Sequence, residues 1–190
     1  MDSEETTAIG QNRVNKKLWR FLLVILIVFV AVGLYLLKNP IGTPAETTLD
    51  DPDAAQFALD ATHAFDLDTI LAHGLPVIVD FGADSCEPCK DMAPILVELN
   101  QELRGKAVIK FVDVWKDSEA AANLPLQVIP TQFFFLADGS PYVPADEEAA
   151  AKNGFILYEL SATGEHVYTV HQGGLDKAEL LAILAEMGMK

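Results

Sequence analysis

Residues 77–90 read VIVDFGADSCEPCK and contain both cysteines of the 190-residue chain. The first part of this stretch is apolar and β-branched on both faces, a pattern typical of a central strand buried between two layers. Beyond the cysteines, apolar residues recur at spacings of about 3.6, which predicts a helix over 86–103. Cys86 and Cys89 therefore fall at the junction of a buried strand and a helix.

A C-x-x-C pair at the start of a helix has a specific chemical use. The unpaired N–H groups of a helix N-terminus stabilise a thiolate at the first cysteine, Cys86. One helical turn brings Cys89 within bonding reach, so a disulfide can open and close by thiol–disulfide exchange. Pro88 suits the first turn, because the N–H group that it lacks would be unpaired there. A purely structural disulfide is the alternative, although such bridges usually close longer loops.

Metal and cofactor sites are not expected. A structural zinc site needs four ligands, whereas the chain has a single C-x-x-C and its four histidines show no metal-ligand spacing. A haem attachment site needs a histidine after the second cysteine, and the residue there is Lys90. We therefore predict that the protein needs no metal and no other cofactor.

The rest of the chain beyond residue 52 predicts alternating strands and helices. The predicted strands cover 77–83, 107–114, 131–136, 155–160 and 165–171. The predicted helices cover 53–64, 68–73, 86–103, 117–124 and 176–187, with Asp68 capping the second and Asp176 the last. A crossover helix between the first two strands implies parallel pairing, and the closing hairpin implies antiparallel edges. His166 and His171 fall on a predicted edge strand and are assigned no role.

Composition excludes several classes of protein. Lysine and arginine number 13 against 28 aspartates and glutamates, for a net charge of −15. A nucleic-acid-binding protein needs a basic surface to neutralise phosphates, so we expect no nucleic-acid partner. Two cysteines cannot build a multi-disulfide scaffold, and 51% apolar residues are too many for a disordered chain.

The N-terminal part of the chain predicts a membrane anchor. Phe21–Leu37 reads FLLVILIVFVAVGLYLL, without a charge, and four basic residues precede it. We predict a single transmembrane helix over 18–38, with a basic cytoplasmic arm over 1–17. A linker rich in proline, threonine and acidic residues follows over 39–52. The domain over 53–190 is predicted to lie on the outer side of the membrane. The alternative is a cleaved signal peptide, which would also export the domain.

Several motifs around the cysteines resemble the thioredoxin family. They are the strand Val77–Phe81 before the pair, Lys90 directly after it, Ala93-Pro94 beyond, and Val128-Ile129-Pro130-Thr131 some forty residues on. The resemblance runs from about residue 68 to 136 and resumes over 166–187. It implies an α/β, thioredoxin-like fold with a mixed central β-sheet flanked by helices. It also implies a thiol–disulfide oxidoreductase that acts on protein disulfides.

The resemblance implies roles for individual residues. Cys86 is expected to be the nucleophile and Cys89 the resolving thiol. Asp80, at the position of the family's buried acid, is expected to take the proton from Cys89, a task for which burial would raise its pKa. Lys110 is expected near Asp80, as a family lysine is.

A second set of roles concerns the loop that the family places opposite the disulfide. Pro130 matches the family's cis proline. A cis peptide bond there leaves the neighbouring backbone free to pair with an extended substrate chain. Ile129 and Thr131 are therefore the predicted substrate-binding residues.

The chain also departs from the family pattern. Gly82 and Ser85 stand where tryptophans are common, and Glu87 replaces the usual glycine between the cysteines. Residues 142–160 are longer than the family usually allows, and we interpret them as an insertion whose acidic, alanine-rich part is either surface or a partner-docking face.

The residues around Cys86 predict a reducing protein. Asp84, Glu87 and Asp91 disfavour a thiolate at Cys86 and raise its pKa, and Lys90 offsets one of the three charges. Glu87, Pro88 and Lys90 are the predicted redox-tuning residues. A strong oxidant needs the opposite, a stabilised thiolate.

We therefore predict a reductase anchored in a bacterial cytoplasmic membrane through Phe21–Leu37, with its catalytic domain outside. Disulfides of extracytoplasmic proteins are the expected substrates, with apocytochromes as candidate clients. Because the exterior lacks a reducing pool, a membrane-embedded thiol relay is the expected electron donor. Two alternatives stay open: a disulfide oxidase or isomerase, and a non-catalytic thioredoxin-fold binding module.

Overall fold

A computed structural model describes residues 19–30 and 56–190 of the chain. Residues 19–30 are helical, with exposed side chains. None of the helices seen in those two ranges has both the length and the apolarity that a membrane crossing requires. The predicted arm over 1–17, the linker over 39–52, and residues 18 and 31–38 of the predicted membrane helix lie outside the described residues.

A five-stranded sheet forms the centre of the domain, with strand order β2-β1-β3-β5-β4. Its strands are β1 (Val77–Gly82), β2 (Val108–Asp113), β3 (Thr131–Phe135), β4 (Phe155–Glu159) and β5 (His166–Gln172). β1 pairs in parallel with β2, and the pairs β1–β3, β3–β5 and β4–β5 are antiparallel. The predicted mixed sheet is confirmed.

Helices cover both faces of this sheet. They are α1 (Leu67–Leu71), α2 (Glu87–Glu102), α3 (Glu147–Lys152) and α4 (Lys177–Glu186). Apolar residues of α2 and α4 pack with Ile78 and Phe134 on one face of the sheet. On the other face, Ile70 of α1 packs with Val79 and Phe81. β1 lies between these two layers and is buried at all six positions, as its apolar, β-branched sequence predicts.

The predicted helix over 53–64 is wrong for most of its described part. Gln56 is helical, but the chain then runs beside the free edge of β2. Phe111 N–H donates to Leu59 O, and Ala61 N–H donates to Phe111 O, both at 2.8 Å. The edge of β2 offers unpaired backbone groups, and pairing with them outweighs a weak helix propensity.

Two shorter helices also differ from their predicted bounds. α1 begins after Asp66, whose side chain accepts from Thr69 N–H, so Asp66 is the cap and not Asp68. The predicted helix over 117–124 is reduced to a 3-10 turn over Glu119–Ala121. Pro125 comes directly after the predicted end at Leu124, and the residue before a proline is disfavoured in helical conformation.

The segment predicted as an insertion, 142–160, contains two regular elements. Asp146 caps α3 by accepting from Ala149 N–H, and Ala150 is buried. Residues 155–159 form β4, an outer strand of the sheet paired with β5. β5 is consequently an interior strand, so the predicted edge position of His166 and His171 is wrong.

Replacing Asp66 by Ala is expected to lower the urea midpoint of unfolding, because the first turn of α1 loses its cap. Replacing Asp68 by Ala removes the same carboxyl group two residues later, where it caps nothing, and should change the midpoint far less. Urea titrations followed by far-UV circular dichroism measure both. Equal effects of the two substitutions would contradict the assignment of Asp66 as the cap.

Candidate active site

The two cysteines form a disulfide at the N-terminus of α2. Cys86 is the N-cap residue, Pro88 lies in the first turn, and the Cα atoms of Cys86 and Cys89 are 5.2 Å apart. Cys86 is partly exposed, whereas Cys89 is only 3% exposed. A protein substrate can therefore reach the first sulfur and not the second. This asymmetry suits a nucleophile at Cys86 and a resolving thiol at Cys89.

Asp113, at the end of β2, holds the loop that precedes the disulfide. Its carboxylate accepts from the backbone N–H groups of Asp84, Trp115 and Lys116, at 3.0 to 3.2 Å. Burial alone would raise the pKa of Asp113, but these hydrogen bonds and the charge of Lys116 outweigh it and lower the pKa. The loop from β1 to Cys86 is thus tied to the neighbouring strand.

The charges around Cys86 are partly paired. Lys90 Nζ lies 2.7 Å from Glu87 Oε1. Lys116, which the sequence did not single out, contacts the Asp84 carboxylate and lies 3.5 Å from Asp113 Oδ2. Hydrogen bonding to Asp84 raises the pKa of Lys116.

The loop before β3 lies against the exposed sulfur. The Ile129–Pro130 peptide bond is cis, which confirms the predicted geometry of Pro130. Ile129 O lies 3.9 Å from Cys86 Sγ, and Ile129 is partly exposed. A substrate strand that pairs with this backbone would therefore run directly past the reactive sulfur. The substrate-binding role of Ile129 stays a prediction.

Thr131 does not lie on the surface that a substrate would touch. Its side chain is fully buried, and its hydroxyl donates to Val128 O at 2.8 Å. Its backbone is already paired within the sheet with Phe81 and Gln172. Thr131 supports the loop from beneath, so its predicted contact with substrate is corrected to a structural role.

Asp80 is a fully buried carboxyl group in the central strand. Its Oδ1 accepts from Gln132 Nε2 at 2.7 Å, and its Oδ2 has no hydrogen-bond partner among the described residues. Burial raises the pKa of Asp80 to about 7, although the hydrogen bond from Gln132 works in the opposite direction. A carboxyl group that titrates near neutral pH can both accept and return a proton.

Gly82 lies between this carboxyl group and the buried sulfur. A methyl group on Gly82 would lie 3.2 Å from Cys89 Sγ and 3.4 Å from Asp80 Oδ2. The same methyl group would lie 2.9 Å from a ring carbon of Phe111. Cys89 Sγ and Asp80 Oδ2 both border the empty side-chain position of Gly82 and are at most 6.6 Å apart, the sum of 3.2 and 3.4 Å, a gap that one bridging water can span for proton transfer.

The predicted proximity of Lys110 to Asp80 is wrong. Opposite residues of a parallel pair share a face, and the register pairs Asp80 with Phe111 and Lys110 with Val79. Lys110 Nζ donates instead to two backbone oxygens, Gln56 O at 2.6 Å and Ala58 O at 2.7 Å. A register offset of one residue moves a side chain to the other face, which explains the error.

Gln132 and His171 are residues of this region that the sequence reasoning missed. Gln132 Oε1 lies 2.9 Å from His171 Nδ1, and Gln132 also binds Asp80. One signal was available: Gln132 interrupts the apolar run of β3, whose sequence is TQFFF. No local signal marks His171, because its burial depends on β4 covering β5.

A thioredoxin family model matches residues 58–157, just over half of the chain. The chain belongs to the thioredoxin family. Thioredoxin 1 of Chlorobaculum tepidum is 39% identical over 69 residues, which cover 36% of this chain and 68% of that protein. A thioredoxin of Mycobacterium tuberculosis is 39% identical over 82 residues, covering 43% of this chain and 67% of that protein. Members of the family are thiol–disulfide oxidoreductases, and we assign this chain to the same enzyme class.

Two further matches differ in how much of the matched protein the chain covers. The bifunctional thioredoxin reductase/thioredoxin of Mycobacterium leprae is 33% identical over 93 residues, which cover 49% of this chain and 20% of that protein. The solved structure of chloroplastic thioredoxin z aligns with 64% of this chain and 87% of that chain, at 22% identity and a TM-score of 0.43. The family assignment rests on the family model and the two thioredoxins above.

Replacing Asp80 by Asn is expected to stabilise the oxidised protein above pH 7 and to change little below pH 4. The pKa of Asp80 is about 7 in the folded protein, against roughly 3.9 in an unfolded chain. Between these values the folded state holds a proton that the unfolded state has lost, so stability falls as the pH rises. The full gap corresponds to at most about 4 kcal/mol.

Urea denaturation of the oxidised protein at several pH values between 4 and 9 measures this difference. Asp91→Asn removes a carboxyl group from an exposed position on α2 and serves as the control, with little change across the range. A stability gain for Asp80→Asn that is the same at pH 4 and pH 9 would show that the carboxyl group does not titrate as inferred.

Proposed function

We propose that this protein reduces disulfides of other proteins outside a bacterial cytoplasmic membrane, to which its N-terminal segment anchors it. The observation that carries the proposal is the pairing of a partly exposed Cys86 with a buried Cys89 that lies across Gly82 from Asp80. An inert structural disulfide needs neither an accessible first sulfur nor a buried carboxyl group beside the second sulfur.

Reduction of a substrate proceeds in two exchanges. The Cys86 thiolate attacks one sulfur of the substrate disulfide, and the other substrate sulfur leaves as a thiolate. Cys89 then passes its proton to the Asp80 carboxylate and attacks Cys86 Sγ, which releases the second substrate sulfur. Two electrons have moved to the substrate, which is now a dithiol, and the protein carries the Cys86–Cys89 disulfide.

The charges near Cys86 support the reducing direction. Four carboxylates, those of Asp84, Glu87, Asp91 and Asp113, lie in or beside the first turns of α2, against the two lysines Lys90 and Lys116. A net negative surrounding disfavours the Cys86 thiolate. A stabilised thiolate is what makes a dithiol protein a strong oxidant. Here the carboxylates counteract the stabilisation that the helix N-terminus gives to the Cys86 thiolate, which favours a reductant.

The sequence of the N-terminal part supports the anchor. Phe21–Leu37 has no charge, and four basic residues precede it. The positive-inside rule then directs the catalytic domain to the outer side. On that side no thiol pool would regenerate the reduced form, so the proposal includes a membrane-embedded dithiol protein as electron donor. Oxidised apocytochromes are the candidate class of client, because their haem-attachment cysteines must be reduced.

The reduction potential of the Cys86–Cys89 pair is expected at or below about −220 mV, in the glutathione-like range. Equilibration of the full chain in mild detergent with glutathione buffers of known potential measures it. A value near −120 mV, where strong oxidants lie, would contradict the reducing direction and identify an oxidase.

The double variant Glu87→Gln/Asp91→Asn should move the potential upward, because two charges that disfavour the Cys86 thiolate are removed. The expected shift is only about 10–40 mV, because exposed charges are screened. Glu147→Gln/Glu148→Gln removes two charges from α3 as the matched control.

The anchor predicts where the protein is found in cells. In a Gram-negative host, the full chain should fractionate with membranes and resist extraction by alkaline carbonate. Cys86, after brief reduction, should react with a membrane-impermeant maleimide once the outer membrane is opened.

Leu26→Arg/Ile27→Arg places two charges in the apolar run and should release the protein from membranes. Each charge is expected to make insertion into the membrane less favourable by about 3 kcal/mol. Ile41→Arg/Leu49→Arg, in the predicted linker, is the matched control, and equal behaviour of both variants would contradict the anchor.

A further inference from the structure

We propose that Gln132 and His171 are positioning residues for Asp80. Together they hold the carboxyl group in one orientation, with Oδ1 bound and Oδ2 directed to the side of Gly82 and Cys89. This role rests on Asp80 being the proton acceptor of the proposed function. It adds two residues, on two further strands, to the machinery of the second exchange.

The three side chains form a row across the sheet. The register pairs Asp80 of β1 with Gln132 of β3, and Gln132 with His171 of β5. Opposite residues of neighbouring strands share a face. Gln132 Nε2 donates to Asp80 Oδ1 at 2.7 Å, and Gln132 Oε1 lies 2.9 Å from His171 Nδ1. Asp80 and Gln132 are 0% exposed and His171 is 5% exposed.

The chemistry of an amide orients this row. With its nitrogen donating to the Asp80 carboxylate, the Gln132 amide turns its oxygen to His171. An amide oxygen can only accept hydrogen bonds, so this orientation places the ring hydrogen on Nδ1. Gln132 Nε2 donates to Asp80 Oδ1 and also lies 3.4 Å from Met92 Sδ. Both hydrogens of the amide nitrogen therefore have acceptors. Turning the amide over would place its NH₂ group against the Nδ1–H group of His171, which costs that hydrogen bond.

Because the amide cannot turn over freely, the two oxygens of Asp80 are not equivalent. Oδ1 is occupied as an acceptor by the Gln132 N–H group. A proton taken up by Asp80 therefore goes to Oδ2, which has no other partner among the described residues. Oδ2 is also the oxygen within 3.4 Å of the point where a methyl group on Gly82 would stand beside Cys89 Sγ. His171 thus acts on the reacting oxygen through Gln132.

The surroundings of the row disfavour the charged form of His171 and hold its ring in place. Burial lowers the pKa of His171, although nearby backbone groups and the charge of Glu179 on α4 work against this. The ring of Phe155 on β4 packs edge-on at a centroid distance of 5.0 Å. Facing Asp80, β2 presents the apolar Phe111, and α2 presents Met92 and the titratable Cys89. A neutral imidazole carries one ring hydrogen, which the contact with Gln132 places on Nδ1.

The titration of Asp80 itself tests the row. In the oxidised full chain in mild detergent, carbonyl-¹³C NMR follows the carboxyl group of Asp80 between pH 4 and 10. Gln132→Leu removes the hydrogen bond to the charged carboxylate and should raise the pKa of Asp80 by about one pH unit or more. Gln172→Leu makes the same change on β5, at an amide nitrogen with no hydrogen-bond partner in the described part of the chain. This control should leave the Asp80 titration unchanged.

His171 offers a second pair of variants with a rescue. His171→Leu frees the Gln132 amide to turn over and donate no longer to Oδ1, and should raise the pKa of Asp80 by less than Gln132→Leu does. His171→Asn keeps an N–H donor near the place of Nδ1 and should restore the original titration. This pair also tests the row if Gln132→Leu fails to fold, which circular dichroism would show.

The second readout is the pH profile of substrate release from the mixed disulfide, measured by stopped flow. Its acidic limb should move to higher pH together with the Asp80 pKa in Gln132→Leu. An Asp80 pKa that neither Gln132→Leu nor His171→Leu moves overturns the proposal. A moved pKa with an unmoved rate profile supports the positioning of the carboxyl group and overturns instead the role of Asp80 as proton acceptor. The two proposals therefore fail in different ways.

Discussion

Burial of the Asp80 carboxyl group in the central strand is the constraint on which the rest of the site depends. A charged carboxylate in this position lacks the hydration it would have in water, so its pKa rises to about 7. The hydrogen bond that Gln132 donates to the carboxylate offsets part of this loss of stability. A group that is poised between its two protonation states at neutral pH is what the exchange at Cys89 requires.

The other parts of the site follow from placing a sulfur beside that carboxyl group. α2 follows β1 after the short loop 83–86, so the C-x-x-C lies just beyond the end of the strand that carries Asp80. Gly82 leaves the space between Asp80 and Cys89 without a side chain. Asp113 holds the intervening loop from β2, and the cis proline loop brings Ile129 O against Cys86. Three elements distant in sequence thus surround one disulfide, with one sulfur accessible and the other shielded.

The local patterns of the sequence predicted much of this correctly. The β-branched run of β1, the helix after the cysteines and the capped last helix are confirmed, and so are the hairpin and the cis bond at Pro130. The failures that concern the sheet and the site share one cause, which is pairing between distant segments. Residues 58–64 lie beside β2 instead of forming a helix because an open strand edge was available to them. His171 was placed on an edge because nothing local shows that β4 adds outside β5.

The amino-acid sequence alone determined the chemistry of this protein, since a C-x-x-C at a strand-to-helix junction and a lone aspartate in a buried strand are local features. Only the tertiary structure decided which other side chains lie beside the cysteines and the aspartate. Gln132 lies 52 residues from Asp80, and His171 lies 39 residues beyond Gln132, yet strand register places the three in one row. Register likewise turns Lys110 away from Asp80 and puts Phe111 there. Side chains alternate along a strand, so a one-residue offset, invisible in the sequence, decides which residue reaches the site.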